Sequence, residues 1–221
     1  MSPLTQLSLL VTDLDNTLVG NDESLRQLLE LLDSYRQTYG TKLVYATGRS
    51  PALYQELADS VGLLPPDALI ASVGTEIYFA DSITPDSSWV DKLSSNWQRE
   101  KIISIVSQFA DLEPQPTSEQ RPFKVSYYLS TSVAAAVIPQ LEQLLAGAGL
   151  NVEIIYSGNR DLDIIPQGAN KGHAVRFLRE VWQISEVSTA VCGDSGNDIS
   201  LFKYGQERGI IVGNAQPELR L

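Results

Sequence analysis

The chain has 221 residues and a formal net charge of −11, with 16 lysines and arginines against 27 aspartates and glutamates. This charge repels nucleic acid and anionic membrane surfaces, so we expect neither as a partner. No stretch approaches the roughly 18 consecutive apolar residues of a membrane span. The single cysteine, Cys192, excludes an internal disulfide framework, and residues 1–6 lack the basic region of a secretory signal. We therefore expect a cytoplasmic protein, and we expect it to be a monomer.

The N-terminal part of the chain alternates apolar runs with segments of helical periodicity. The pattern predicts strands at 7–11, 43–46 and 68–71, a helix from Ser24 to Gly40, and a helix from Ser50 to Gly62. Alternating strands and helices with short connections are typical of a parallel sheet covered by helices on both faces. Ligands of such sheets bind at the carboxyl ends of the strands.

The regular alternation of predicted strands and helices changes between about residues 81 and 160, beginning with the polar stretch 81–88. Further along we predict one long helix at 89–110, a strand at 123–129, a helix at 133–146, and strands at 152–156 and 162–165 joined by a hairpin turn at 158–161. We interpret residues 81–160 as an inserted α+β domain, and residues 1–80 and 161–221 as the domain that carries the parallel sheet.

The parallel pattern resumes towards the C-terminus. The sequence predicts a helix from Lys171, a strand at 189–192, a helix from Gly196 to Tyr204 and a strand at 210–212. The fold class is therefore α/β, with a Rossmann-like parallel sheet and one insert.

Two acids end the first strand. Asp13 and Asp15 are two residues apart on an extended segment, so their carboxylates lie on the same side. An EF-hand calcium loop needs glycine at its sixth position, where this chain has Leu18, so that type of site is excluded. A polar strand end without catalytic function is the alternative.

Two segments carry residues that are suited to binding an anion. Residues 47–48 follow the second strand, and Lys171 begins a later helix. Thr47 can donate a hydroxyl, and Gly48 lets a backbone amide approach an oxyanion. Lys171 opens a helix, where a cation opposes the helix dipole, so the placement invites a functional explanation. The alternatives are a plain turn before the helix and a solvated surface lysine.

A third group of polar residues follows the strand at 189–192. Asp194 can supply an oxygen ligand to a hard cation, while Asn197 and Asp198 can orient that ligand or Lys171. These acids could instead merely cap a helix. However, all four segments lie at predicted strand ends, which a parallel sheet brings together. Together they make a complete set for metal-assisted phosphoryl transfer.

These four segments also carry a resemblance to a known family. Asp-Leu-Asp-Asn-Thr at 13–17, Thr-Gly-Arg at 47–49, Lys171 and Gly-Asp-Ser-Gly-Asn-Asp at 193–198 resemble the four motifs of the haloacid dehalogenase (HAD) superfamily in order and spacing. Over almost the whole chain, segments such as DLDNTLVG, SGNRDLDIIPQGANKG and GIIVGNAQPEL are similar to cyanobacterial-type sucrose-phosphate phosphatases. The resemblance implies a HAD core with a C2B-type cap that closes over a phosphosugar.

The resemblance implies a mechanism as well. It implies a phosphatase that hydrolyses sucrose 6-phosphate, the final step of sucrose synthesis, with Asp13 as nucleophile and Asp15 as general acid and base. Mg²⁺ is then held by Asp13, the backbone carbonyl of Asp15 and Asp194, with Asp198 behind them. The phosphate oxygens are bound by four residues: Thr47, Gly48, Lys171 and Asn197.

Specificity would come from the cap, where Lys124, Arg160, Asp161 and Asp163 are polar candidates for substrate contacts. The substrate could be another phosphosugar, such as glucosylglycerol phosphate or mannosyl-phosphoglycerate, or the enzyme could be a phosphohexomutase. From another class, the chain could be a non-catalytic sugar-phosphate-binding partner of a sucrose-phosphate synthase, which is also a candidate partner for the enzyme.

The sequence departs from the family pattern at its C-terminal end. Family members continue past the strand that corresponds to 210–214 with a further C-terminal segment, whereas this sequence ends at Leu221. We expect cover for the last strand and overall stability to depend on that segment, and the chemistry of the upstream motifs to be independent of it.

Overall fold

The computed structural model describes residues 6–80 and 82–220 as two packed sheets and their helices. The strands, in chain order, are β1 (Leu9–Thr12), β2 (Lys42–Ala46), β3 (Ala68–Ala71), β4 (Glu76–Phe79), β5 (Glu113–Pro114), β6 (Val125–Tyr128), β7 (Val152–Ser157), β8 (Asp161–Pro166), β9 (Thr189–Gly193) and β10 (Arg208–Ile211). The helices are α1 (Asp22–Tyr39), α2 (Pro51–Val61), α3 (Ser87–Ser94), α4 (Arg99–Val106), α5 (Thr131–Gly147) and α6 (Lys171–Trp182).

A six-stranded sheet in the order β10-β9-β1-β2-β3-β4 forms the first layer, parallel except for β4. Its central strand, β1, has Leu9 and Val11 fully buried, as expected for a strand covered on both faces. Thr12 pairs with Tyr45 on one side and with Cys192 on the other. Because the register is level, the residues after β1, β2 and β9 reach the same edge of the sheet.

Local sequence explains where the first two helices begin and end. The side chain of Asn21 accepts a hydrogen bond from the Ser24 amide and caps α1, while α2 opens with Pro51. Both helices end at glycines with positive φ, 69° at Gly40 and 68° at Gly62. The predicted N-terminal strand and helix order is confirmed in the described residues.

The second sheet is antiparallel, with the order β5-β6-β8-β7. With α4 and α5 it encloses a separate apolar cluster that includes Ile102, Leu141 and Ile164. The predicted hairpin at 158–161 joins β7 to β8, with Gly158 and Asn159 both at positive φ. We call the second sheet, α4, α5 and the loops between them the cap, and the six-stranded sheet with its helices the core domain.

The strand pairing places the end of the cap later in the chain than the sequence predicts. β8 lies between β6 and β7 in the cap sheet, so the cap extends to Pro166, and the predicted limit at residue 160 divides a hairpin. Asp81, the first residue of the predicted boundary stretch, lies outside the described residues, as do residues 1–5 and 221.

The single helix predicted at 89–110 is wrong, because the structure has two helices there, α3 and α4. Trp89 and Leu93 of α3 pack in the core-domain cluster, whereas Ile102 and Val106 of α4 pack in the cap cluster. The chain bends between them so that each helix can bury its apolar side in a different place.

Smaller corrections concern the remaining elements. β4 was not predicted; it pairs antiparallel with β3. The segment predicted as a helix from Gly196 to Tyr204 is a 3-10 helix at Gly196–Phe202, and the last strand begins at Arg208. Within the described ranges, no helix combines the length and the apolar character that crossing a membrane requires.

A glycine fixes how closely the turn after β3 approaches α6. Gly74 has φ +112°, and a Cβ there would lie 2.3–2.5 Å from backbone atoms of Ala169, Asn170 and Lys171. Backbone atoms cannot yield locally, so only glycine permits this contact. The contact holds the first residues of α6 against the sheet.

We expect Gly74→Ala to lower the free energy of unfolding by about 3 kcal/mol or more, because positive-φ strain adds to the backbone clash. Gly62→Ala is the matched control: its φ is +68°, but nothing lies within 4 Å of a Cβ there. That variant should lose only about 1 kcal/mol. Guanidinium chloride unfolding of both variants measures the difference, and equal losses would contradict the close contact.

Candidate active site

A buried ion pair joins residues that are far apart in the sequence. Lys171 opens α6 and Asp13 follows β1, and Lys171 Nζ lies 2.7 Å from Asp13 Oδ1. The same ammonium donates to Asn197 Oδ1 at 2.8 Å and to Asp198 Oδ1 at 2.7 Å. An ammonium has three N–H groups, so the fully buried Lys171 uses all of them here. The first, third and fourth predicted motifs therefore meet at one point.

The loop after β9 is held by Asp198. One of its oxygens, Oδ2, accepts hydrogen bonds from the amides of Asp194 (3.0 Å) and Ser195 (3.2 Å), and forms a capping box with Ser195. Gly193 passes so close that a Cβ on it would lie 2.5 Å from the Asp198 Cβ. These contacts hold the backbone that carries Asp194.

Three carboxylates form a compact buried group. Oxygens of Asp13, Asp194 and Asp198 all lie within 4.8 Å of one another. Both oxygens of Asp198 already accept hydrogen bonds, so Asp13 and Asp194 have the capacity left to coordinate a cation. Carboxylate oxygens are the ligands that hard divalent cations prefer.

The side chain of Asp15 is not part of this carboxylate group. It is 45% exposed and forms a two-pronged ion pair with Arg49, with Nε 2.8 Å from Oδ2 and Nη2 2.7 Å from Oδ1. Sequence reasoning placed Asp15 beside Asp13 but gave Arg49 no partner. The only sequence signal was its position directly after Gly48.

The loop after β2 brings its predicted phosphate ligands to the same edge. Thr47 is fully buried, and its Oγ1 accepts a hydrogen bond from the Arg49 amide at 3.1 Å. A Cβ on Gly48 would lie 3.3 Å from Asn197 Nδ2, so the second and fourth motifs touch. The Gly48 backbone is thus open to a ligand that Asn197 can also reach.

The core domain and the cap enclose a cavity of about 420 Å³. Thr47, Lys171 and Asp198 lie behind its wall. Its lining contains most of the predicted site residues: Asp13, Asp15, Gly48, Lys124, Arg160, Asp161, Asp163, Asp194 and Asn197.

The four cap candidates form a polar wall opposite the acids. Lys124 and Asp163 are buried, with Nζ 3.3 Å from Asp163 Oδ1, and Arg160 stacks over Tyr128 with its Cζ 4.1 Å from the ring centroid. Burial, followed by the charge of Asp163, raises the pKa of Asp161. The hairpin that carries three of these residues thus faces the cavity.

One cap carboxylate of the cavity, Glu119, is not predicted from the sequence. Glu119 is buried, lines the same cavity and accepts hydrogen bonds from Ser50 Oγ at 2.7 Å and from the Ser50 amide at 3.3 Å. It lies in a proline-rich link whose sequence predicts neither burial nor a partner.

Residues 6–221 match the family described as sucrose-6F-phosphate phosphohydrolase. The chain belongs to this family. It is 43% identical to "Probable sucrose-phosphatase 2" of Arabidopsis thaliana over 96% of this chain and 51% of the relative. The chain thus spans about half the length of the curated relatives that it matches first.

One solved structure agrees with the family assignment, and a second, more distant one shares the fold. The sucrose-phosphatase of Synechocystis sp. PCC6803, solved with sucrose and phosphate, is 43% identical with a TM-score of 0.91 over 98% of this chain and 86% of that one. A sugar phosphatase of HAD subclass IIB is 18% identical with a TM-score of 0.68, over 96% and 90% of the two chains. The predicted HAD fold with an inserted cap is therefore confirmed.

The buried acidic side chains of the carboxylate group outnumber the single buried ammonium that contacts them. Burial raises the pKa of Asp13 to about 7, and the charges of Asp198 and Asp194 add to that effect although Lys171 opposes it. Burial alone would lower the pKa of Lys171, but the carboxylates of Asp13 and Asp198 raise it overall. One ammonium thus stands against three acids, and the site retains excess negative charge.

We expect Lys171→Met to lower the free energy of unfolding by about 3–5 kcal/mol at pH 8 in EDTA, because it leaves Asp13 and Asp198 buried without a counter-charge. The loss should shrink at pH 5, below the raised pKa of Asp13, because protonation removes the repulsion. Denaturant unfolding at both pH values measures this. The exposed Lys203→Met is the control and should change stability by less than about 0.5 kcal/mol. A pH-independent loss would contradict the charge argument.

Proposed function

We propose that this chain is a phosphatase that hydrolyses sucrose 6-phosphate to sucrose and phosphate, the final step of sucrose synthesis. The observation that carries the proposal is the buried Asp13, bonded to Lys171 and facing a polar cavity beneath the cap. Membership in the sucrose-6F-phosphate phosphohydrolase family supports the choice of substrate.

The reaction proceeds in two displacements at phosphorus. A carboxylate oxygen of Asp13 forms a bond to phosphorus as the bond to the sugar oxygen breaks, which gives an aspartyl-phosphate. For this step Asp15 first takes up a proton from solvent on one carboxylate oxygen, which gives up its bond to Arg49 while the other oxygen keeps its own, and then donates that proton to the departing sugar oxygen. Water then attacks phosphorus, Asp15 takes up its proton, and phosphate leaves with the carboxylate of Asp13 restored.

Three groups donate hydrogen bonds to the phosphoryl oxygens in this proposal, and Lys171, whose three N–H groups are taken by Asp13, Asn197 and Asp198, contributes its charge. The Thr47 hydroxyl accepts from the Arg49 amide, so its own hydrogen remains available for a phosphate oxygen. Gly48 and the Asn197 side chain are adjacent and line the same cavity, so the Gly48 amide and Asn197 Nδ2 are the next two donors of the proposal. Lys171 lies beside Asp13 and stabilises charge on both the nucleophile and the phosphoryl group.

The acids also fit a divalent cation, and we propose Mg²⁺. Asp13 and Asp194 would hold it together with the backbone carbonyl of Asp15, while Asp198, whose oxygens are occupied, keeps Asp194 and Lys171 in place. The excess of buried negative charge supports this assignment. When bound, the ion would offset charge on the phosphate and the nucleophile.

We expect Mg²⁺ to raise the melting temperature without substrate by about 3–5 °C at ten times its dissociation constant. Asp194→Asn removes one anionic ligand and should abolish most of the shift. The exposed cap residue Asp111 provides the control, because Asp111→Asn should keep the full shift. Differential scanning calorimetry with EDTA-treated protein measures all three, and an undiminished shift in Asp194→Asn would exclude this site.

Recognition of the sugar falls to the cap in this proposal. Lys124, Arg160, Asp161 and Asp163 present donors and acceptors to the cavity, which suits a ligand with many hydroxyl groups. The Lys124–Asp163 pair is buried, whereas the guanidinium of Arg160 stacks on Tyr128. We also propose that the enzyme is monomeric and cytoplasmic, with a sucrose-phosphate synthase as a candidate partner.

Asp13→Asn should lower phosphate release from sucrose 6-phosphate by about 10⁴-fold or more, since an amide cannot form the phosphoenzyme. Phosphate release with Mg²⁺ and with EDTA measures it, and calorimetry checks that the variant folds. Near-normal turnover by a folded Asp13→Asn would refute the mechanism.

The same assay decides between the alternatives. Faster release from glucosylglycerol phosphate or mannosyl-phosphoglycerate would reassign the substrate. A phosphohexomutase would isomerise a hexose phosphate without phosphate release, and a non-catalytic binding partner would release none from any ester.

A further inference from the structure

Two carboxylates join the cap to the core domain through one short segment of the cap, residues 119–121. Glu119 of the cap accepts from the hydroxyl and amide of Ser50 in the core domain. In the reverse direction, Arg121 of the cap donates to both oxygens of Glu76 in β4, at 2.6 and 2.9 Å. Both acids are buried, so each is committed to its partner.

The Glu119 contact, unlike the Arg121 contact, lies at the start of a helix of the core domain. Ser50 precedes α2, and its side chain makes no capping bond within that helix; its hydroxyl donates to Glu119 instead. The cap carboxylate therefore bonds the backbone amide of the N-cap residue, as the third helical residue does in a capping box, and its charge is favoured by the helix dipole. A residue of one domain completes the start of a helix in the other.

The residue next to Ser50 is Arg49, the ion-pair partner of Asp15. The Arg49 carbonyl accepts from the Ser72 amide at 2.9 Å, so its backbone is fixed on one side by the loop after β3 and on the other by the Ser50–Glu119 contact. The pKa of Arg49 is raised chiefly by its hydrogen bond to Asp15, and the charges of Asp15 and Glu119 raise it further. Burial lowers the pKa of Arg49 but does not outweigh these effects. The guanidinium thus lies in the field of both acids.

We propose that Glu119 is a positioning residue: by fixing the turn at Ser50 it places Arg49, and Arg49 orients the side chain of Asp15 towards the leaving oxygen. This inference rests on the proposed function. Asp15 is 45% exposed, so the Arg49 pair is what restricts its rotamers. Because the link begins in the cap, Asp15 is oriented when the cap is docked on the core domain.

Two substrates separate this function from simple docking of the cap. The sugar oxygen of sucrose 6-phosphate needs a proton to depart, whereas the nitrophenolate of p-nitrophenyl phosphate leaves as a stable anion without one. The ratio kcat/KM covers steps up to departure of the leaving group, before water attacks. Misplacement of Asp15 therefore lowers kcat/KM for the sugar ester selectively.

We expect Glu119→Ala to lower kcat/KM for sucrose 6-phosphate about 10-fold or more beyond its effect on p-nitrophenyl phosphate. Ser50→Ala approaches the same contact from the core domain and should show the same selectivity in smaller degree. Glu119→Gln keeps an acceptor for Ser50 and should restore most of the sugar-ester activity. Arg121→Ala is the matched control, because it removes the neighbouring cap–core ion pair with Glu76 but keeps the Glu119–Ser50 contact on which the orientation of Asp15 depends, and it should affect both esters alike.

Equal losses for both esters in folded Glu119→Ala, or the same selectivity in Arg121→Ala, would overturn the positioning role and leave Glu119 as a docking contact. Failure of the wild-type protein to hydrolyse either ester would instead refute the proposed function. Melting temperatures of all variants show whether each one folds. If Glu119→Ala does not fold, Ser50→Ala still tests the same contact from the core domain.

Discussion

One ammonium group, Lys171 Nζ, holds together the carboxyl edge of the six-stranded sheet. It is fully buried and bonds to Asp13, Asn197 and Asp198, which follow β1 and β9. Removing a charge of this kind from water is costly unless it is fully paired, so the lysine and its partners depend on one another. The close approach of Gly74 to α6 makes this arrangement possible, because it brings the first turn of the helix against the sheet.

The same pairing leaves the site short of positive charge. Asp13, Asp194 and Asp198 lie near the one ammonium of Lys171, and the pKa of Asp13 is raised to about 7 by burial among acids. A protein of net charge −11 can accept a phosphate ester only where positive charge is concentrated locally. A divalent cation at Asp13 and Asp194 would meet both needs, and this links the electrostatics of folding to the proposed chemistry.

The cap supplies side chains to the site as well as covering it. Its hairpin β7–β8 places Arg160, Asp161 and Asp163 on the cavity wall, while Glu119 reaches across to the start of α2. Sugar recognition and the orientation of Asp15 would thus depend on the same docked state of the cap. The two helices α3 and α4 show the same division, because one packs in each domain.

The sequence by itself determined the parallel-sheet class, the order of the elements around Asp13 and the placement of three motifs, at 13–17, 47–49 and 193–198, at strand ends of one sheet, because strand and helix periodicity and the geometry of parallel sheets are local or topological rules. Lys171 instead follows β8 of the cap sheet, so only the tertiary structure decided its approach to Asp13. Only the tertiary structure decided the break between α3 and α4, the membership of β8 in the cap sheet, and the partners of Arg49 and Glu119. These features depend on which apolar face finds which core, and on contacts between residues up to 69 positions apart. Nothing in the local sequence near Glu119 specifies Ser50 as its partner, since that contact exists only once two separately packed domains meet.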